Sequence, residues 1–255
     1  MIPKNKTTEM HKRALYLLLF LFTFLTAEGQ SWRTTRWEAS GGLILANYFG
    51  DIGGSAAENT WFGIRDLDLT RSRPGMSGGL RYFTHYHIAF KGNLAIGWLS
   101  GSDKGGKNEN REYIFNSPIL EPSIRIEFFP FRDWPMGRGF DRHGRVRNYA
   151  TLSAYIFGGT GCVFYYVFPN EKLSLRQERD DLRYGPVAIV LPAGIGFKIG
   201  INNNTDLGLE IGGRYAFSDF LDGFTSKTST ANDIYYLTSV QLIYRMPEFN
   251  LWFND

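Results

Sequence analysis

The stretch from Ala188 to Phe217 restricts the possible folds of this chain most, because apolar residues alternate with polar or small ones along two long arms. The first arm ends at Gly200, and Asn202-Asn203-Asn204 precedes the second. Successive side chains of a strand point to opposite faces, and asparagine tolerates turn conformations, so the stretch predicts a β-hairpin. Arms of roughly 10 residues are as long as tilted strands that span a bilayer.

The composition favours a membrane barrel over an ordinary soluble domain. Aromatic residues make up 16% of the 255 residues, and 29 residues are glycine. Both values are high for a soluble domain, whereas aromatic girdles are typical of membrane barrels. A charged fraction of 21% argues against disorder. Because Cys162 is the single cysteine, an internal disulfide and a cysteine-based zinc site are both excluded.

The N-terminus has the pattern of a secretory signal peptide. Basic residues precede the apolar run Ala14–Thr26, and Ala27-Glu28-Gly29 offers small residues at the cleavage positions. We therefore predict that residues 1–29 are cleaved, since the run is shorter than the ~20 residues of a spanning helix. An uncleaved anchor is the alternative. The leader carries two of the three net positive charges, so the remainder is nearly neutral and gives no reason to expect a nucleic-acid partner.

Alternation of the same kind predicts six further strands. They are Trp37–Tyr48, Gly75–Tyr82, His87–Trp98, a strand within Tyr113–Phe129, Tyr149–Phe164 and Asp233–Arg245. Long polar connections (49–73, 100–112, 165–186 and 218–232) alternate with short ones (83–86 and 200–204). Pro118 and Pro122 predict a weakened upper half or a bulge in the fourth strand, since proline cannot donate to a ladder.

An even strand number, long outer loops and short periplasmic turns are typical of bacterial outer-membrane barrels. The sequence therefore predicts an all-β fold, an eight-stranded antiparallel up-and-down transmembrane β-barrel over residues 30–246 with a C-terminal tail at 247–255. The protein is then expected in the outer membrane, in contact with its lipid, with both termini periplasmic. Aromatic residues near the predicted strand ends would form the girdles, namely Trp37, Tyr48, Tyr82, Trp98, Phe128, Tyr215, Phe217 and Tyr244.

Charged residues fall on a single face of the predicted strands, which we assign to the lumen. A charge that faced lipid at the bilayer midplane would cost about 2–4 kcal/mol, whereas buried charges are tolerated when they are paired. Periodicity alone also fits a soluble barrel or sandwich with its charges outward. The residues predicted to form ion pairs in the lumen are Arg81, Lys91, Glu121, Arg125, Glu127, Lys198, Glu210 and Arg214.

Four segments combine glycine with apolar and charged residues, namely FGDIGG (49–54), KGNLAIGWLSGSDK (91–104), IRIEFFPF (124–131) and GLEIGGRYAFSDFLDG (208–223). In order and spacing they resemble the PorG-like outer-membrane β-barrel family of Bacteroidota. The resemblance implies a non-enzymatic barrel of the type IX secretion and gliding apparatus that links the periplasmic ring to the outer membrane. It also implies a periplasmic ring lipoprotein similar to PorK as the partner. The alternative is a binding or structural barrel whose surface loops recognise a ligand that the sequence does not identify.

The connection Pro130–Arg147 departs from the short turns expected on the periplasmic side. It is rich in arginine, with aromatic residues interleaved, and both residue types dominate the energetics of protein interfaces. We therefore predict a docking segment for a periplasmic partner; a solvated insert and contact with acidic lipid head groups are the alternatives. The predicted partner-binding residues are Arg132, Trp134, Arg138, Arg142, Arg145 and Arg147.

Catalytic and cofactor signals are weak. His85 and His87 could form a triad with a serine near the lipid face, but we interpret them as ordinary interfacial residues. No His, Asp or Glu cluster in the sequence has metal-ligand spacing, and Asp51 is interpreted as a turn residue. We predict no enzymatic activity and no cofactor. A general pore is also not expected, because side chains fill the lumen of an eight-stranded barrel.

Overall fold

The computed structural model describes residues 36–49, 52, 72–103, 109–136, 138–140, 146–148, 150–179, 185–202, 204–224 and 232–246. The predicted signal peptide, the predicted tail, Asp51, Arg142 and Arg145 lie outside these residues. In chain order the elements are β1 (Trp37–Phe49), β2 (Arg73–His85), β3 (Ile88–Ser102), β4 (Ile114–Pro135), β5 (Arg138–Phe140), β6 (Val146–Asn148), β7 (Thr151–Tyr165), β8 (Phe168–Pro169), α1 (Glu171–Arg179), β9 (Val187–Gly200), β10 (Thr205–Ala216) and β11 (Ile234–Met246).

Eight long strands of the described chain close into a ring. They are β1–β4, β7 and β9–β11, and each pairs antiparallel with the next long strand along the chain. Strand β1 pairs with β11 in the register Trp37↔Met246, which completes the circle. The predicted eight-stranded up-and-down barrel is therefore confirmed. Trp37 and Met246 lie at the end that carries the turn 86–87 and the turn 201–204, which we call the turn end. The opposite end is called the loop end.

The two faces of the barrel wall differ sharply in chemistry. Large apolar side chains point outward and are exposed, for example Ile124 at 67% and Leu43 at 66%. The alternate positions are buried and hold the charged residues of the strands. Among the charged residues of the described long strands, one has an exposed side chain, and it is Arg73, the first residue of β2. An apolar belt around a polar interior is the arrangement of a barrel that spans a bilayer.

The fourth strand follows its prediction in part. Its pairing with β3 runs unbroken from Ile114 to Phe128, so neither Pro118 nor Pro122 weakens that side. Its pairing with β7 passes from Leu120 to Ser123 and omits Glu121 and Pro122, so that side is weakened at Pro122 as predicted. The missing N–H of Pro122 therefore falls where the ladder to β7 is interrupted. The register shifts of β4 lie further on, between Phe128 and Trp134.

The predicted connection Pro130–Arg147 is largely a β-ribbon rather than a loop. Strand β4 continues to Pro135, and the Met136 N–H donates to the Ala150 carbonyl oxygen at 2.9 Å. Beyond that bond β5 pairs with β6, from Arg138↔Asn148 to Phe140↔Val146, in the register that continues from Pro135↔Thr151. Strand β3 begins opposite Phe128, so this ribbon extends past the turn end of the neighbouring wall. We call the described residues of 131–152 (131–136, 138–140, 146–148 and 150–152) the turn-end ribbon.

The loop end is closed by chain segments that fold over the lumen. Leu173 of α1, Ile52, Leu221 and Phe224 are buried against inward side chains of the strands. Gln177 Nε2 donates to the Gly223 carbonyl oxygen at 2.6 Å, which joins α1 to the β10–β11 connection. The predicted polar loop 165–186 therefore contains β8 and α1. No helix in the described part of the chain is long and apolar enough to cross a membrane.

Most predicted girdle residues lie on the outer surface, and one does not. Trp37 contacts Tyr82 at the turn end and Tyr215 contacts Phe217 at the loop end, with ring centroids 4.8 and 5.3 Å apart. The Tyr48 prediction was wrong: its hydroxyl donates to the Asp233 carboxylate, and its ring packs on Phe115 inside the barrel. Tyr48 lies ten residues after Glu38 in the same strand, and because strand side chains alternate between the two faces, both residues point into the lumen.

Gly159→Ala is expected to destabilise the barrel by about 1–3 kcal/mol, the cost of overpacking. A Cβ atom at Gly159 would lie 2.1 Å from the Ile124 carbonyl oxygen and 2.8 Å from the Arg125 Cα atom, so β4 and β7 would have to separate. The free energy of unfolding in urea, measured in lipid vesicles, checks this. Gly158→Ala is the matched control, since a Cβ there meets nothing within 4 Å. Equal losses for the two variants would contradict the expectation.

Candidate functional site

The centre of the lumen holds an ion-pair network with Glu210 at its middle. The Glu210 carboxylate accepts from Lys91 Nζ at 2.7 Å, from Arg125 Nη1 at 3.1 Å and from the Tyr155 hydroxyl at 2.7 Å. Arg81 Nη2 lies 3.8 Å from the same carboxylate. These groups come from β2, β3, β4, β7 and β10, so one carboxylate ties together five strands across the lumen.

The network continues toward the turn end. Arg81 donates to Glu38 at 2.6 Å and to Glu127 at 2.5 Å, and Lys198 donates to Glu38 at 2.6 Å. Lys198 Nζ also lies 3.1 Å from Asp206. Every one of these side chains is at least 98% buried. Buried charges at this depth require such partners, since each unpaired ion would carry its full desolvation cost.

A separate pair lies on the loop-end side of Glu210. Arg214 Nε is 3.4 Å from Glu121 Oε1, and the Tyr235 hydroxyl donates to the other Glu121 oxygen at 2.6 Å. Arg214 Nη1 also donates to the Gly212 carbonyl oxygen at 2.6 Å. Each of the eight residues predicted for lumen ion pairs is thus buried and within 4 Å of an opposite charge. The sequence analysis did not predict that Tyr155 and Tyr235 complete the network, because an inward tyrosine in a strand pattern cannot be distinguished from a residue that only packs in the core.

Apolar clusters close the lumen on both sides of the ions. Phe83, Ala89, Phe129, Tyr155 and Phe157 form the cluster at the turn end. A larger cluster fills the loop end, and it includes Ile44, Leu99, Phe115, Val163 and Leu237. The polar space between them that Glu210, Ser239 and Gln241 help to line is only about 10 Å³, about the size of one water molecule. The interior is therefore a packed core in the part of the chain that the structure describes.

The turn end presents an exposed aromatic surface beside a buried arginine. Trp134 is 61% exposed, Phe131 is 55% exposed, and their ring centroids lie 6.2 Å apart. Arg132 has the opposite orientation, with its guanidinium 3.7 Å from the Phe83 ring centroid and its Nη1 donating to the Tyr86 carbonyl oxygen at 3.3 Å. Arg132 therefore does not contribute its side chain to the ribbon surface. For Arg138 and Arg147 the structure gives backbone pairing in the ribbon.

The histidines near this end are held by packing and backbone contacts. His87 is 5% exposed, and its Nδ1 donates to the Phe129 carbonyl oxygen at 2.6 Å. Its ring stacks on that of His85 with centroids 6.4 Å apart. Burial raises the pKa of Tyr86 in the same turn, and the nearby Asp133 carboxylate adds to the shift. Within the described residues, no group of three or more His, Cys, Asp and Glu side chains is placed to hold a metal ion.

The loop end carries an open cleft of about 610 Å³. Its walls come from the end of β3, the turn before β4 and the start of α1. The lining residues are Ser102, Asn110, Glu112, Ile114, Asn170, Glu171 and Lys172. Lys172 Nζ donates to the Glu112 carboxylate at 2.5 Å, and this bond lowers the pKa of Glu112. Sequence reasoning missed the cleft, because two segments distant in the chain build it.

The sequence of this chain matches one described family over residues 12–241, the "Domain of unknown function (DUF6089)". The chain belongs to the DUF6089 family. No curated protein matches its sequence.

Several solved structures resemble this DUF6089 protein. Neisserial surface protein A is 10% identical, with a TM-score of 0.44, over 82% of this chain and 97% of that one. OprG from Pseudomonas aeruginosa is 8% identical, with a TM-score of 0.42, over 84% and 97%. The outer membrane enzyme PagL is 13% identical, with a TM-score of 0.29, over 83% and 99%. The barrel assignment itself rests on the closed strand ring and its outward apolar belt.

Proposed function

We propose that the protein is a non-enzymatic outer-membrane β-barrel with both termini periplasmic. A closed barrel with an apolar belt satisfies all backbone groups inside a bilayer, and bacterial barrels of this kind reside in the outer membrane. The predicted signal peptide supports export. Trp37 and Met246, where the first long strand begins and the last one ends, lie at the end with the short turns, which is periplasmic in such barrels. The packed lumen supports a role carried by surfaces rather than by transport through the barrel.

We further propose that the barrel belongs to the type IX secretion and gliding machinery and links the periplasmic ring to the outer membrane. The four segments that resemble PorG-like barrels support this assignment. The observation that carries it is the turn-end ribbon, which extends past the neighbouring wall and exposes Trp134, Phe131 and Met136. An exposed apolar surface on a projecting element is typical of an interaction site. The proposed partner is a periplasmic ring lipoprotein similar to PorK.

The proposed contact residues are Trp134, Arg138, Arg142, Arg145 and Arg147. Between Gly137 and Tyr149 the sequence has four arginines and one aspartate, so this segment carries a net positive charge. Tryptophan and arginine contribute most to interface energies when a partner covers them. A partner with an acidic, partly apolar surface fits this composition.

Changing Arg142, Arg145 and Arg147 to Ser is expected to reduce recovery of the ring lipoprotein at least tenfold in a pulldown with the tagged barrel from native membranes. The basic contacts would be lost while the barrel wall stays intact. The matched control changes Arg73, Arg176 and Arg179 to Ser, which removes the same charge at the loop end. Unchanged recovery with the ribbon variant would end the docking proposal.

Deletion of the protein tests its place in the secretion machinery directly. The proposal expects loss of type IX substrates from the culture medium, or loss of gliding in a gliding host. Re-expression of the unaltered chain should restore the phenotype, and the ribbon variant should not. A secretome identical to that of the parent strain would contradict the secretion role and leave an outer-membrane barrel of another function.

A further inference from the structure

The cleft at the loop end lies on the opposite side of the barrel from the turn-end ribbon and has no role in the proposed docking. Its volume of about 610 Å³ falls in the range of small-molecule sites, about 300–1,000 Å³. Two separate connections build it, the one between β3 and β4 and the one between β7 and β9.

The cleft is held in one shape by bonds between its two walls. Asn170 Nδ2 donates to the Glu112 carbonyl oxygen at 2.8 Å, and the Asn170 N–H donates to the Ile114 carbonyl oxygen at 2.9 Å. The Lys172 to Glu112 ion pair spans the same walls. Glu112 has a φ of 51°, a conformation that costs energy for a residue other than glycine and persists when its surroundings enforce it. A site that is ordered before binding loses less entropy when a ligand enters.

The lining chemistry selects among ligand classes. Asn110 and Asn170 carry amides that donate and accept, whereas Glu112 and Glu171 accept only. A phosphate or sulfate would meet two carboxylates and one ammonium that is already paired, so an anion is disfavoured. An apolar ligand would strip water from these polar groups without replacing their hydrogen bonds. A neutral ligand with many hydroxyl groups satisfies donors and acceptors alike.

We propose that this cleft binds a neutral oligosaccharide, whose hydroxyls would donate to Glu112 and Glu171, accept from Lys172 and exchange hydrogen bonds with the Asn110 amide. The Ile114 side chain, 42% exposed, supplies an apolar patch for the carbon-bound face of a sugar ring. Asn170 acts as a positioning residue, because its side chain accepts from the Leu173 N–H at 3.1 Å and fixes the start of α1.

The test uses the full mature chain in lipid nanodiscs, with maltotriose, N,N′,N″-triacetylchitotriose and mannotriose as neutral probes, and with inorganic phosphate as the anionic probe, in calorimetric titrations. At least one trisaccharide should bind saturably, and Asn110→Ala and Glu171→Gln should each weaken that binding tenfold or more. Glu178→Gln, on an exposed position of the same helix, is the matched control and should bind like the unaltered chain. Retained resistance of the folded barrel to unfolding in detergent confirms that the variants keep their fold.

Three outcomes would overturn the proposal. They are no saturable binding of any of the three trisaccharides, trisaccharide binding that both cleft variants leave unchanged, and binding of inorganic phosphate that Asn110→Ala weakens and Glu171→Gln strengthens. The last result would assign the cleft to anions instead. None of these outcomes affects the docking proposal, because the ribbon arginines and the ring lipoprotein are absent from the assay.

Discussion

Glu210→Gln is expected to destabilise the barrel by about 3–5 kcal/mol, the cost of breaking a buried ion pair by removal of one partner. The amide keeps the shape of the side chain but leaves Lys91 and Arg125 without a carboxylate, since each of these cations is paired with Glu210. The Arg81 guanidinium loses less electrostatic stabilisation, because it is also paired with Glu38 and Glu127. The free energy of unfolding in lipid vesicles, measured against urea, gives the effect.

Two further variants make this result specific to the lumen. Lys91→Met combined with Glu210→Gln should recover part of the lost stability, because one of the unpaired cations is removed. Lys172→Met breaks an ion pair on the exposed surface, with Lys172 53% and Glu112 66% exposed, and should have no measurable effect. A loss below about 1 kcal/mol for Glu210→Gln, the range of exposed pairs, would contradict a buried network.

Leu209→Arg is expected to destabilise the barrel in a bilayer by about 2–4 kcal/mol, the cost of arginine on the lipid face near the midplane. Leu209 points outward near the middle of β10, between Phe197 of β9 and Val240 of β11. The guanidinium would have to enter hydrocarbon or drag water with it. Reversible unfolding from vesicles of one defined lipid is the appropriate measurement.

Thr205→Arg is the matched control for this prediction. Thr205 has the same outward parity on the same strand but lies at its turn-end terminus, where the cost falls to about 0–1 kcal/mol. The difference between the two variants therefore reports depth in the membrane rather than the chemistry of arginine. Equal losses at both positions would mean that the outer face does not meet lipid.

Local alternation explains why so much of the wall was predictable. In the hairpin Ala188–Phe217 the side-chain period of two fixes which residues share a face, and the fold confirms both arms. The turn was predictable for the same reason, since the Asn204 N–H donates to Asn202 Oδ1 at 2.9 Å as asparagine turns do. These features depend on residues a few positions apart, so they can be predicted from the local sequence pattern.

Features built from distant parts of the chain were not predictable in this way. Ile44 is apolar although it shares its strand face with Glu38 and Ser40. Its side chain is buried in the apolar cluster at the loop end, and residues distant in the chain build that cluster. The choice of Lys91, Arg125 and Arg81 as partners for Glu210 depends on which strands face each other across the lumen. Periodicity predicts that charges are inside but not which of them meet.

The missed elements had weaker but real signals. Asn170 before an acidic first turn is a helix start pattern, and it caps α1 through the Leu173 N–H. The connection 130–147 contains Pro130, Pro135 and several glycines, residue types that are typical of loops, yet the pairing of β4 with β7 and of β5 with β6 forms a ribbon there. Tertiary pairing overrode local propensity there.

The native Cys162 allows the most direct measurement of the orientation of the wall. It is the single cysteine of the chain. Its neighbours in β7 face the lumen, since Val163 is buried and a Cβ atom on Gly161 would contact Ser123, so the Cys162 side chain points outward. A spin label on Cys162 in nanodiscs should collide frequently with oxygen, which concentrates in the bilayer, and rarely with a water-soluble nickel chelate. Glu178→Cys in a Cys162→Ser background should show the reverse order. A Cys162 label that the nickel chelate reaches more readily than oxygen would contradict a lipid-facing apolar belt.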